Sequence, residues 1–243
     1  MKDLSWLPAT PVAHRGYHGP GVPENSCAAF RAAVRNGYTI ELDIRATKDD
    51  VLVVFHDDTL VRMTACDRTI EDCTFAEIRT LTLGATSEKI PAFAEVLDFV
   101  NGRVGLLIEI KPHPRIGRLE ELLCLLLDRY YGKFAVASFD PRVLAWFCRN
   151  RPSFIRGQIS GGLHGKGLSA PRRFFLKNLV VALISRPDFI AYEYRNLNAW
   201  VRFVARIFRL PLLVWTIRDP GTARQCGDAG HAIIFEGFHA AKT

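Results

Sequence analysis

The sequence has no C-x-x-C pair: Cys27, Cys66, Cys73, Cys124, Cys148 and Cys226 are scattered along it. That scatter excludes a zinc ribbon and a disulfide framework, and a reducing cytoplasm is the simplest setting for six unpaired thiols. No apolar run is long enough to span a bilayer, and "MKDLSWLPATP" lacks the apolar core and small-residue cleavage site of a secretory signal. A soluble cytoplasmic protein is therefore expected. Neither a self-similar period nor a low-complexity linker occurs, so a repeat array is not indicated. No Gly-rich phosphate loop follows the first apolar run, since "HRGYHGPG" matches neither G-x-G-x-x-G nor a P-loop. Nor is there a recognised nucleic-acid module or a clustered basic arm. The net charge of +7 is then left for a phosphorylated substrate or an anionic membrane surface.

What is present is an alternation of short β-branched runs with longer stretches of helical period, over a length that suits one α/β domain, 1–243. The candidate strands are 10–15, 39–46, 51–56, 104–111, 134–139, 155–160, 189–194, 210–217 and 232–238. "ENSCAAFRAAVRNG" carries the marks of a helix, with Asn25 or Ser26 to cap its start and Gly37 to end it. A closed parallel barrel needs eight strands and nine are available. The run 51–56 follows its predecessor after only "TKDD", enough for a turn but not for a crossover helix. The expected fold is a TIM-type (β/α)8 barrel with a small hairpin insertion after the second strand. An open doubly wound sheet is the alternative, weakened by the missing phosphate loop.

Within "TIELDIRA" the strand period puts Ile40, Leu42 and Ile44 on one face and Glu41, Asp43 and Arg45 on the other. "LLIEIKP" repeats the arrangement with Glu109 and Lys111. A solvated strand face would explain either alone. Taken together, three converging carboxylates repel one another unless a cation lies between them, and all-oxygen ligation suits Mg²⁺ or Ca²⁺. Three carboxylates and a divalent ion leave one negative charge, which Arg15 and Lys111 turn into one positive charge, a balance suited to a monoanionic phosphodiester. His14 and His56 each end an apolar run, and as a pair they suit acid–base transfer during phosphodiester cleavage. Asp57 either orients a histidine or caps the following turn. His18, His113, His164, His231 and His239 are given no chemistry.

With these pieces in view the chain resembles the glycerophosphodiester phosphodiesterase family. "HRG" with "PENS", "ELD", "VVFHDDTL.R.T", "IPAFAEVLDFV", "LLIEIK", "SFDP" and "WTIRD" occur in the family's order from Pro11 to about Phe238. The resemblance implies a TIM-type barrel, one divalent cation held by Glu41, Asp43 and Glu109, and His14 with His56 as the acid–base pair. It also implies Arg15 and Lys111 near the phosphate and Trp215 lining the alcohol pocket, or else Trp215 in the core. The expected substrate is a small glycerophosphodiester, cleaved to glycerol 3-phosphate and an alcohol. Departures cluster late in the chain: Asp219 in "WTIRD" has no assigned role, and in "AIIFEGF" Glu236 either supplies a missing acid or faces solvent.

Two other functions compete. A lysophospholipid-cleaving enzyme with peripheral membrane contact would use "AWVRFVARIFRL", where Arg202, Arg206 and Arg209 form one helical stripe and Trp200, Phe203, Val204 and Ile207 another. An ordinary outer barrel helix, packing its apolar stripe inward, explains the same pattern. A non-catalytic lipid- or phosphate-binding barrel is opposed by the intact set of two histidines and three carboxylates. Oligomeric state is left open.

Overall fold

The computed structural model of the protein describes residues 2–163 and 169–241. Its architecture is an α/β TIM-type barrel of eight parallel strands, with one further strand bonded antiparallel to the second. The strands are β1 (Val12–Ala13), β2 (Thr39–Ala46), β3 (Leu52–Val54), β4 (Leu106–Ile110), β5 (Phe134–Ser138), β6 (Arg156–Ser160), β7 (Phe189–Glu193), β8 (Leu212–Ile217) and β9 (Ala232–Phe235). Each of the nine expected runs is a strand; 39–46 has the expected bounds and the other eight are shorter. β1 is the most trimmed, because Arg15 adopts a left-handed backbone, φ 54°, that no strand continues through. The chain forms two compact units, Ala13–Phe134 and Met1–Val12 with Ala135–Thr243.

In the first unit β2 pairs in parallel with β4 and antiparallel with β3. The β2–β3 turn closes on Thr47, whose N–H donates to the Val51 carbonyl (3.0 Å), while Asp50 takes the left-handed conformation. The helix Cys27–Asn36 starts where Ser26 Oγ accepts from the Ala29 N–H (3.1 Å) and stops at left-handed Gly37. Beyond β3 the insertion is more than a hairpin. Val53, Phe55, Leu60, Ile70, Ile78 and Ile90 belong to a small hydrophobic core of their own.

The second unit contains β5 to β9, each pairing in parallel with the next. Lys2 ties its N-terminal segment down, donating to the Phe154 carbonyl (2.8 Å) and to Asp188 (2.7 Å). The helix Ala199–Ile207 departs from the expectation of an ordinary barrel helix. Of the four residues in the expected apolar stripe only Val204 is buried, and it packs with Val201 and Ala205, while Trp200, Phe203 and Ile207 are exposed. Val201, Val204 and Ala205 share one face at i, i+3 and i+4 spacing and complete the inward contact with small side chains. The large ones are left on the outside.

Candidate active site

The site in the first unit begins with register. β2 and β4 run parallel with Asp43 opposite Glu109 and Glu41 opposite Leu107. Strand alternation then puts Glu41, Asp43 and Glu109 on one face, where all three are buried. Their carboxylate oxygens lie within 4.8 Å of one another. Burial and the neighbouring charges of Asp43 and Glu109 push the Glu41 carboxyl well above its usual range. Asp43 goes the other way: burial would raise it, but Lys111, His56 and Arg15 together hold it well below the usual carboxylate range. Negative charge is thus concentrated on this face, and it disfavours ionisation of Glu41. That excess, with an all-oxygen donor set, fits a hard divalent cation.

The cations of the chain answer part of the excess. Lys111, just past β4, sets its ammonium 2.7 Å from Asp43 Oδ1 and 2.6 Å from Glu109 Oε1. Burial opposes its charge, yet Asp43 and Glu109 raise its pKa above the ordinary lysine value. Arg15 places Nε 3.5 Å from Asp43 Oδ2, and its backbone N–H donates to Glu41 Oε2 at 2.7 Å. The left-handed turn at Arg15 makes that second contact feasible, and Gly16 continues it at φ 79°. A Cβ at Gly16 would lie 2.8 Å from Ala29 Cβ, so the turn demands glycine twice over. His14 is the residue between β1 and this turn and is half-buried.

His56 follows β3. Its Nδ1 lies 2.6 Å from Asp57 Oδ1, which answers one open question: Asp57 orients the ring. Arg45 fixes the backbone at the same point, donating to the His56 carbonyl from Nε (3.1 Å) and Nη2 (2.9 Å). Burial, followed by the positive charge of Lys111, lowers the His56 pKa below the ordinary histidine value. The imidazole is therefore held in its neutral form at neutral pH.

Three residues to which sequence reasoning assigned no part in the site complete the arrangement. Asn25 donates to Asp43 Oδ2 (2.7 Å) rather than capping the helix, a task left to Ser26. Glu24 Oε1 accepts from Arg15 Nη1 (2.8 Å) and from Arg62 Nη2 (2.6 Å), and Arg62 Nε also binds Asp57. A chain of ion pairs thus runs from Arg15 through Glu24, Arg62 and Asp57 to His56. Its sequence signal was the charged residues inside "PENS" and "HDDTLVRMT", whose spacing alone does not say which carboxylate meets which guanidinium.

The remaining sequence candidates fall in the second unit. Trp215, on β8, is half-buried with its ring edge-to-face on Phe139 at 5.7 Å. Its indole Nε1 is buried with no hydrogen-bond partner among the described residues. Asp219 is a helix cap, accepting from the Thr222 N–H at 2.8 Å. Glu236 accepts from Arg218 Nε at 2.7 Å. Of the histidines given no chemistry, His113 in the first unit is 3.0 Å from the buried carboxylate of Glu120, and His164 lies outside the described residues.

Comparison with known proteins bears on the whole arrangement. The model of the Glycerophosphoryl diester phosphodiesterase family matches residues 14–236. The YhdW protein of Bacillus subtilis (strain 168) is 31% identical over 221 residues, which is 87% of each chain. Among solved structures, one from Silicibacter pomeroyi DSS-3 superposes with a TM-score of 0.82 at 23% identity, covering 96% of this chain and 93% of that one. A phosphodiesterase of Oleispira antarctica, solved in complex with the product sn-glycerol-3-phosphate, superposes with a TM-score of 0.79 at 22% identity, covering 96% and 94%.

Proposed function

The chain belongs to the glycerophosphoryl diester phosphodiesterase family, a family of phosphoric diester hydrolases, and from that membership we propose that it cleaves small glycerophosphodiesters to glycerol 3-phosphate and an alcohol. The observation that carries the reading is the buried trio Glu41, Asp43 and Glu109, gathered within 4.8 Å beside an oriented histidine. The product bound to the Oleispira antarctica phosphodiesterase supports the same substrate class.

Glu41, Asp43 and Glu109 would hold one divalent cation, Mg²⁺ or Ca²⁺, which would supply Lewis-acid polarisation of the phosphoryl oxygens and a lowered pKa for the attacking hydroxyl or water. The other work falls to the chain's own groups. Lys111 and Arg15 supply positive charge to the phosphate, and Arg15 keeps its reach because Glu24 holds its outer nitrogen. His56, neutral and locked by Asp57, takes the nucleophile's proton at the ring nitrogen that Asp57 does not use. His14 delivers a proton to the departing alkoxide. Trp215 lines the alcohol pocket and offers its unused indole N–H there. Residues 1–243 work as one domain, in a reducing compartment where the six cysteines stay free.

The test is phosphate-ester profiling of the purified protein before and after exhaustive chelation. Turnover of glycerophosphodiesters that vanishes with chelator and returns with Mg²⁺ or Ca²⁺ is the expected result. Undiminished turnover without metal, or no turnover of any glycerophosphodiester, overturns it.

A further inference from the structure

Of the twelve large apolar side chains that stand exposed among the described residues, nine fall between Phe174 and Phe208. Seven of them sit on three α-helices of the second unit, and Val180 and Phe208 lie just outside the helix ends. Ala170–Lys177 exposes Phe174 and Phe175, and Ala182–Ser185 exposes Leu183 (72%) and Ile184 (62%). Ala199–Ile207 exposes Trp200, Phe203 and Ile207, a second apolar stripe that flanks the buried one of Val201, Val204 and Ala205. The helices are joined at this face: Trp200 Nε1 donates to the Asn178 carbonyl at 3.1 Å, directly after the first of them. The Trp200 and Phe203 rings lie 5.9 Å apart. A face of this kind on a water-soluble chain costs free energy unless something covers it.

The charge of the same segments says what. Residues 170–187 carry four Lys or Arg and no carboxylate, and residues 195–210 carry four Arg and no carboxylate. The two acids between them are engaged elsewhere: Asp188 pairs with Lys2, and Glu193 accepts from the Gly162 N–H and from Asn196. Arg202 and Arg206 are exposed and have no carboxylate partner among the described residues. A second copy of this chain would bring like charge against like charge across the same face, with no acid to relieve it. A surface of anionic lipid offers the opposite: phosphates for the arginines, and an interfacial layer in which tryptophan and phenylalanine are favoured.

We infer that this face docks on an anionic lipid surface, with Trp200, Phe203 and Ile207 entering the boundary between headgroups and acyl chains while Arg202 and Arg206 lie among the lipid phosphates. The inference stands apart from the proposed chemistry, since its readout is binding and needs no turnover.

The experiment is flotation of the full chain with vesicles of phosphatidylcholine alone and of phosphatidylcholine mixed equally with phosphatidylglycerol. Binding to the mixed vesicles only, weakened by salt, is expected. The pair R202Q/R206Q should lower the partition coefficient roughly 20-fold, at about fivefold per charge removed. F203S/I207S should bind more weakly still, with its thermal midpoint preserved because both side chains are exposed. Acyl chains brominated near the headgroup should quench tryptophan emission of the wild type, and quench W200F less although it still binds. Failure to bind mixed vesicles overturns the inference, as does equal binding by every variant. A dimer in sedimentation that F203S/I207S dissolves also overturns it, since the face would then be a protein interface.

Discussion

The inward face of β2 and β4 and the outward face of the helix Ala199–Ile207 break the same rule in opposite directions. On the first, charged groups are buried and meet one another: Lys111 bridges Asp43 and Glu109, and Asn25 completes Asp43. On the second, large apolar groups are exposed, and Arg202 and Arg206 beside them have no carboxylate partner among the described residues. Folding alone favours neither arrangement, since buried charge costs desolvation and exposed apolar area forgoes burial. What differs is how each cost is met. The strand face offsets part of its cost with partners within a few ångströms. The helix face has no such partners among the described residues, and the inferred lipid surface would relieve its cost.

Breaking the strand face should give the largest effects. Asp43→Asn and Glu109→Gln should each lower kcat/KM by roughly 10³ or more and weaken the divalent ion, measured by steady-state kinetics and metal titration. A variant with wild-type metal affinity would remove that residue from the site. His14→Ala and His56→Ala come next, with kcat down roughly 10² to 10⁴ on alkoxide-leaving substrates and stability little changed. A p-nitrophenyl ester needs no proton delivered to its leaving group, so it should partly rescue His14→Ala and not His56→Ala. Equal rescue of both would show that the pair does not divide the work in this way.

Arg62→Gln is a smaller cut, since it loosens Asp57 and Glu24 without touching substrate. A roughly 10-fold fall in kcat with little change in KM is expected, with partial recovery in Arg62→Lys. Asp57→Asn removes an interaction that raises the His56 pKa, so the His56 titration, already below the ordinary histidine value, should move lower still. Proton NMR of the chelated protein reads that directly. A His56 titration that stays put in Asp57→Asn would mean the short contact does not govern the ring.

Glu41 sharpens the comparison on the stability side. Its carboxyl holds a proton more tightly folded than unfolded, so the metal-free fold loses stability as pH rises above the ordinary glutamate value of 4.5 toward the raised one. Glu41→Gln removes that loss and should stabilise the metal-free protein near neutral pH, read as a raised thermal midpoint in chelator, while abolishing tight metal binding. For the same reason metal affinity in the wild type should rise with pH, with proton release visible by calorimetry in buffers of different ionisation enthalpy. At the small end, R202Q/R206Q should leave hydrolysis of a soluble diester unchanged. A fall there would draw the helix face into the chemistry and dissolve the contrast.

The strand face was legible because a period of two is unambiguous. Once 39–46 is a strand, Glu41 and Asp43 share a face with no third choice, and parallel pairing brings Glu109 to them. The hairpin at "TKDD" was legible from turn length, and the cap at Ser26 and stop at Gly37 from local chemistry. The helix face was not, because a helix with two apolar stripes does not say which one packs. That depends on side-chain size against the sheet, and the small set Val201, Val204 and Ala205 took the inside. The ion-pair chain was hidden for another reason. Glu24 and Arg62 are 38 residues apart, and only the folding of the insertion brings them to 2.6 Å.

That insertion has its own centre of packing, and His56 and Arg62 are carried by it while Glu41, Asp43 and Glu109 are carried by β2 and β4. A segment with a separate small core can open on its own, at less cost than unfolding the chain, as hydrogen exchange detects in such foldons. On warming, amides of residues 53–90 should therefore exchange before those of β2 and β4. Under the proposed mechanism, activity would then be lost in an intermediate that keeps the Glu41, Asp43 and Glu109 trio and much of its circular dichroism but has set His56 adrift. The working temperature would be governed by Leu60, Ile70 and Ile78 rather than by the strands. Filling or emptying that small core would move heat inactivation without moving the main melting transition.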